Sequence, residues 1–507
     1  MNATAVLDPA RRLRALVAVA VALAAGIFAF TAAAGVTGSL PAAAATAALV
    51  VALLGLALWK RPIVALDPAA CSPALALVSG ASAIVALVVL ARLAVFMIAP
   101  SQVGYSFAPS SEWEVQHSCV SAYFVAARAA GHVPNVYADS LYTMPNDDPT
   151  TIRKPLRIGS FKIDVYEYPP PFLLVPRALR LAVPDFIRFR TLWFGVNGAV
   201  LLLALLLVAR ALGPMVGTRA LLLSPLVWAA FPTLSNLQKG NVQALIIAIS
   251  MLAMLLFEKR RWAAGGALLA FATVSKLYPG MLLVYLLVRR QWHALAWTTG
   301  LSVGLVLLTL VDTGPAQYSA FLAHLPGLLG GEAFPAFRNP AATAINFSVP
   351  GLVFKLKLFH VPGMSFGVAK VVGWIYTAIA VWATVWIARR STSVAQRPLL
   401  WLAILIMGTL RSPFLPQAYA AIPPLWLLTL LVAGLVPSPR KMVLLLLACL
   451  VLNIFWPLDR PMDPRWLAAL STVAQIATIA VTVAVLRGRQ RTPTSASSTV
   501  AAGERPT

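Results

Sequence analysis

Long apolar runs alternate with short polar breaks from one end of the chain to the other. The runs cover residues 14–34, 41–59, 73–98, 191–209, 220–234, 241–257, 262–275, 279–289, 293–311, 364–388, 398–412, 417–436, 441–457 and 466–486. Most approach the ~20 residues that cross a hydrocarbon core. A backbone in lipid must satisfy its own hydrogen bonds, so such runs are read as helices. The pattern predicts an all-α polytopic membrane protein with about 14 transmembrane helices (range 11–14). The seventh and eighth runs are short enough to form a bent hairpin instead of two crossings. Composition agrees, with 60% hydrophobic and 11% charged residues against roughly 25% charged in soluble domains.

Charge orients the pattern. The clusters Arg11/Arg12/Arg14, Lys60/Arg61, Arg210/Arg219, Lys259/Arg260/Arg261, Arg289/Arg290, Arg389/Arg390, Arg440/Lys441 and Arg487/Arg489/Arg491 fall on alternate connections. The positive-inside rule makes that side cytoplasmic and, with an even number of spans, places both termini inside a cell (inner) membrane. The other connections then face the exterior or periplasm. The largest are 99–190 and 312–363, with a shorter one at 456–466.

The expected organisation is N-terminal spans over 1–98, a large external loop over 99–190, a transmembrane core over 191–487 and a disordered cytoplasmic tail over 488–507. In the first loop, "CVSAYFVAARAA" (119–130) reads as an amphipathic helix lying on the membrane surface, and "YEYPPPFLLVPRAL" (166–179) as an interfacial platform. The run after "RRLR" has small-residue sites of the signal-peptide kind, but its length and the apolar run that follows favour an uncleaved span.

The net charge of +24 suits loop retention and attraction to anionic lipid. Nucleic acid is excluded as a partner, because no soluble basic domain with interleaved aromatics exists. Cys71, Cys119 and Cys449 are far apart and suggest no disulfide framework. Phosphate-loop, dinucleotide-glycine and zinc spacings are all missing, so no nucleotide-handling chemistry is indicated.

The remaining chemistry lies in polar residues at the external ends of spans. "NLQKGNVQ" (236–243) and "SKLYPG" (275–280) break two apolar runs and carry Gln238, Lys239, Asn241, Gln243, Lys276 and Tyr278. Asn346 and Arg411 lie at the same level. A single lysine at such a place is ordinarily a snorkelling anchor. Two lysines flanked by amides, against the inside bias, favour a site for an anion such as a lipid phosphate, which lysine neutralises and arginine grips through two oxygens. Of the external acids, Glu114, Asp164 and Glu167 are best placed to face a cavity and deprotonate a hydroxyl. A salt bridge to Lys162 or Arg177 is the structural alternative.

Several of these stretches resemble glycosyltransferase family 87 of the polytopic C superfamily. "AYFVAARAAGHVPNVY" (122–137) is similar to the family's helix and glycine–tyrosine turn. "YEYPPPFLL" (166–174), "NLQKGNVQALIIAI" (236–249) and "SKLYPGMLLVYLLVRRQWHAL" (275–295) resemble its proline turn, its polar span start and its lysine–proline segment. Weaker similarities are "NPAATAINFSVPGLV" (339–353) and "RSPFLPQAYAAIPPL" (411–425).

The resemblance implies inverting transfer of mannose or another hexose or pentose from a polyprenyl-phosphate donor. The acceptor would be a glycan or glycolipid at the external face. No cofactor and no catalytic metal is expected, since one phosphate leaves and a basic residue can balance it. The resemblance also implies a loop aspartate as base, but Cys119 stands at that position, which leaves Glu114, Asp164 and Glu167 as candidates. Lys276 matches the family's lysine, whereas Lys239 departs from its pattern. The competing expectation is a transporter or lipid-linked sugar flippase, against which the lack of internal repeats and the large first loop both count.

Overall fold

A computed structural model describes residues 8–145, 153–390, 393–434, 439–454 and 462–487. The expected tail over 488–507 and most of the 456–466 connection lie outside the described residues.

Three long helices open the chain, α1 (Pro9–Thr37), α2 (Leu40–Lys60) and α3 (Pro73–Ile98). Asp8, Ser39 and Ser72 cap their N-termini by accepting backbone N–H bonds at 3.2, 3.3 and 3.2 Å, with proline in each first turn, where its missing N–H costs nothing.

The 99–190 region is small and mixed. It holds α4 (Glu112–Gln116), strand β1 (His117–Ser118), α5 (Cys119–Ala129), β2 (Arg157–Ile158), β3 (Phe161–Ile163) and α6 (Leu174–Ala182). Strand β3 lies between β1, parallel to it, and β2, antiparallel to it. The register sets His117 opposite Lys162 and Ser118 opposite Ile163, so the residues just beyond, Cys119 and Asp164, emerge together.

The expected surface helix at 119–130 is corrected here. α5 is buried over nearly its whole length, from Cys119 to Ala127, because its residues are apolar or small on every face and are enclosed by neighbouring aromatics. The amphipathic element is α6, which turns Leu181 outward at 86% exposure.

The rest is helical. The chain continues through α7 (Phe186–Ala211), α8 (Pro214–Trp228), α9 (Phe231–Lys239), α10 (Gln243–Glu258), α11 (Trp262–Ser275), α12 (Gly280–Val288) and α13 (Trp292–Thr313). It then forms α14 (Ala316–Gly330), α15 (Pro340–Ala344), α16 (Gly351–Leu358), α17 (Phe366–Ala388) and α18 (Arg397–Thr409). α19 (Gln417–Ala420), α20 (Ile422–Gly434), α21 (Pro439–Leu452) and α22 (Pro464–Arg487) complete it.

Every apolar run read from the sequence lies largely on helix among the described residues. Among the described residues, eight helical stretches are long and apolar enough to cross a membrane, or nine if α8 and α9, bent by 60° at their break, count as one span. This is fewer than about fourteen. The remaining apolar runs fall on the shorter helices α10, α11, α12, α18 and α21, of 16, 14, 9, 13 and 14 residues.

The bundle has two chemically distinct ends. At one, Arg397 pairs with Glu258, Arg289 donates to the Arg390 carbonyl at 3.5 Å, and Arg390 donates to the Leu486 carbonyl at 3.1 Å. The turns after α10, α12 and α17 and the end of α22 are thereby gathered together, as their shared basic character implied. The other ends of α10, α11 and α12 carry Gln243, Ser275 and Gly280. Lys239 and Lys276 therefore sit at the end of the bundle opposite to the arginine clusters.

Gly240 makes the sharpest turn at that end. It terminates α9 with φ +71°, and an added Cβ would lie 2.1 Å from Val120 Cγ2. Its carbonyl accepts from Trp193 Nε1 at 2.8 Å. Left-handed backbone costs a non-glycine residue roughly 1–2 kcal/mol, and here the clash adds to it. Gly240→Ala is expected to lower thermal stability in detergent more than Gly159→Ala, where φ is +57° but nothing lies within 4 Å.

Candidate functional site

At the polar end the described residues enclose a cavity of about 1350 Å³. Its wall combines α4, the β1–α5 junction, the segment after β3, the α9–α10 and α11–α12 breaks, and the turn after α18. A cavity of this size exceeds the ~300–1,000 Å³ of an ordinary small-molecule pocket and leaves room for two substrates.

The deepest charges are paired. Lys239 Nζ lies 2.7 Å from Glu114 Oε1, with side chains only 5% and 4% exposed. The other carboxylate oxygen accepts from Ser235 Oγ at 3.1 Å. Gln238 holds α4 in place, donating to the Glu114 carbonyl at 2.7 Å and accepting from Ser106 Oγ and the Phe107 N–H at 3.0 and 2.9 Å. Glu114, Gln238 and Lys239 thus form a buried brace between the 99–190 region and α9. This arrangement withdraws Lys239 from the free-cation role and Glu114 from the free-base role that the sequence suggested. The sequence-level alternatives for a bridging partner are also replaced, since Lys162 pairs with Glu112 at 2.9 Å and Arg177 with Asp312 at 2.6 Å.

Beside the brace lies a cluster of three donors. His117 Nε2 is 3.6 Å from Asp164 Oδ2 and 3.6 Å from Cys119 Sγ. Trp113 stacks on the His117 ring at 4.3 Å between centroids. Asn241 Nδ2 donates to the Cys119 sulfur at 3.4 Å, and Tyr419 Oη lies 3.2 Å from it. Asp164 is anchored through its backbone N–H, which donates to Ser121 Oγ at 2.9 Å. Its side chain is 37% exposed, and that exposure is to the cavity it lines.

The enclosure governs the protonation of this cluster. Burial raises Asp164 to about 6, against a hydrogen bond from the Val165 N–H and the nearby charge of Lys239. Burial first, then Lys239 and Lys162, hold His117 down to about 3, so its imidazole is neutral. Burial, reinforced by Asp164, pushes the Cys119 thiol up to about 12. Glu167 is raised well above the usual carboxylate range by burial and then by Asp164, while Lys276 pulls the other way.

Lys276 lines this wall without a carboxylate bridge among the described residues. Its Nζ donates to Gln243 Oε1 at 3.0 Å and lies 5.4 Å from the Tyr168 ring centroid. Tyr278 and Ser275 line the same cavity, and their hydroxyls, like Gln243 Nε2, are buried without a hydrogen-bond partner among the described residues. Unmet polar groups of this kind are costly unless a ligand or water satisfies them. Arg411 also lines the cavity but faces α17, donating to Thr377 Oγ1 at 2.6 Å with its guanidinium 5.5 Å from the Trp374 ring centroid. Asn346 serves a structural role, bonding the Pro413 carbonyl and the Leu415 N–H at 2.9 and 3.0 Å.

All nine residues expected from the sequence therefore lie at one end of the bundle, eight of them on the cavity wall itself. Gln238 backs the wall by holding Glu114. The sequence reading missed His117, Trp113 and Tyr419. Tyr419 stood inside a motif already singled out (411–425), but only the strand pairing reveals that His117 meets Asp164.

These features define a multi-spanning membrane protein with a large polar cavity at one end. Residues 166–416 match the model of glycosyltransferase family 87, and over that region the chain belongs to the family and is a membrane glycosyltransferase. The match includes the proline turn, both lysine segments and Arg411, and starts two residues after Asp164. No curated protein and no solved structure matches the chain.

The buried brace yields a stability prediction. Removing one partner of a buried ion pair costs roughly 3–5 kcal/mol, whereas apolar replacement of both is often tolerated. Glu114→Ala is expected to lower the melting temperature strongly, and the double variant Glu114→Leu/Lys239→Met to recover much of the loss in the same thermal unfolding assay.

Proposed function

We propose that this protein transfers a sugar, with inversion, from a polyprenyl-phosphate donor to a hydroxyl of a glycan or glycolipid at the external face of the cell membrane. The family supplies the general class. The observation that carries the finer reading is that Asp164 and Lys276 line one cavity, with Asp164 beside the very residue, Cys119, that replaces the family's aspartate.

In this reading the donor's phosphate lies against Lys276, with the unpaired hydroxyls of Ser275 and Tyr278 and the Gln243 amide completing its contacts. Arg411 lines the path of the donor further along the cavity. Asp164 takes the proton of the acceptor hydroxyl as that oxygen bonds to the sugar's anomeric carbon. The bond from that carbon to the phosphate oxygen breaks, and the electron pair leaves with the polyprenyl phosphate. Lys276 stabilises the growing negative charge, which is worth most in a dry, preorganised site. Glu167, close enough to Lys276 to feel its charge, is a further carboxylate of the wall. Glu114 and Lys239 keep the wall rigid without touching the reacting atoms.

The test is reconstitution in liposomes with a labelled polyprenyl-phosphate sugar and acceptor extract. Loss of a positioned general base costs about 10²–10⁴-fold, so Asp164→Asn is expected to reduce turnover by that factor. Lys276→Ala is expected to reduce turnover and weaken donor binding together. Lipid flipping without glycosidic bond formation would show a flippase instead, and full activity in Lys276→Ala would remove the phosphate assignment.

A further inference from the structure

The His117–Cys119–Asp164 cluster has a property that sugar transfer does not use. One nitrogen, one sulfur and one carboxylate oxygen all lie within 4.8 Å of one another. A tetrahedral zinc ion with bonds of about 2.0–2.3 Å sets its nitrogen and sulfur ligands about 3.6 Å apart and its nitrogen and oxygen ligands about 3.3 Å apart. The observed His117–Cys119 and His117–Asp164 separations are both 3.6 Å, so rotation of the Asp164 side chain is the principal adjustment needed. We propose that His117 Nε2, Cys119 Sγ and Asp164 Oδ2 form a binding site for one thiophilic divalent cation of the zinc class, with its fourth position open to the cavity.

Three further observations and the chemistry of the donor set support the site. The stacked Trp113 ring fixes the His117 imidazole. Asn241 and Tyr419 both reach the sulfur, at 3.4 and 3.2 Å, as outer-shell groups do around a metal thiolate. Lys239, whose charge acts on all three donors, is neutralised by Glu114, so the approaching cation meets no uncompensated positive charge from it. Binding releases the thiol proton, and the resulting thiolate and carboxylate match the two charges of the ion. Soft sulfur together with imidazole favours zinc-class ions over magnesium or calcium, which prefer all-oxygen sites.

The metal would occupy the carboxylate assigned above as the base. Occupancy therefore opposes transfer, and the site acts as a brake. The binding inference itself rests on the geometry and stands apart from the transfer reading.

Cobalt(II) serves as the probe, titrated into the purified full-length protein in detergent and followed by sulfur-to-cobalt charge-transfer absorption. One cobalt per chain is expected, displaced by zinc. The band should vanish in Cys119→Ser and persist in Cys71→Ser/Cys449→Ser. His117→Ala and Asp164→Asn should each weaken binding by at least about 10-fold, with thermal melting confirming that the variants are folded. Absence of the band in the unmodified protein, or its survival in folded Cys119→Ser, overturns the proposal. In the liposome assay, zinc should suppress transfer and a chelator restore it. A protein that binds cobalt as described but transfers no sugar would refute the transfer reading and leave the metal site standing.

Discussion

The ion pair between Glu114 and Lys239 is the constraint on which the functional end depends. Two opposite charges, each about one-twentieth exposed, cannot be separated in a low-dielectric interior without a large penalty. They therefore clamp the short helix α4 onto the end of α9. From that fixed point β1 and α5 follow directly, and the parallel pairing of β1 with β3 carries Asp164 to the cavity wall. Ser235 and Gln238 finish the brace by occupying the remaining acceptor and backbone groups.

This arrangement separates two roles that look alike in the sequence. Lys239 and Lys276 both sit at polar breaks between apolar runs. One is consumed by a carboxylate partner, while the other keeps only an amide and an aromatic face. The acids divide in the same way. Glu114 is buried in an ion pair, whereas Asp164 is the more open to the cavity. Cys119 is not left without an acid beside it, because a second element delivers Asp164 to within 4.8 Å.

Much of this was legible beforehand. Apolar runs mark helices wherever a backbone must bond to itself, and among the described residues every predicted run lies largely on helix. The alternation of basic clusters was equally readable, since Arg289, Arg390 and Arg397 gather at one end of the bundle while both lysine segments lie at the other. Span number was less legible, because a short apolar helix such as α11 has the same composition as a crossing and differs only in where it stops. α5 was misjudged for a related reason. Small and apolar residues at helical spacing fit a membrane surface and a protein interior equally well, and only the aromatic rings packed around Tyr123 and Phe124 decide for the interior.

By itself, then, the sequence determined the helical class, the two-ended charge distribution and the residues from which a site is built, because hydrophobicity and charge act locally and leave a linear record. The tertiary structure decided which of those residues are partners. Pairing depends on distance in three dimensions, and His117, Cys119 and Asp164 become neighbours only through a short parallel strand register that leaves almost no trace in composition.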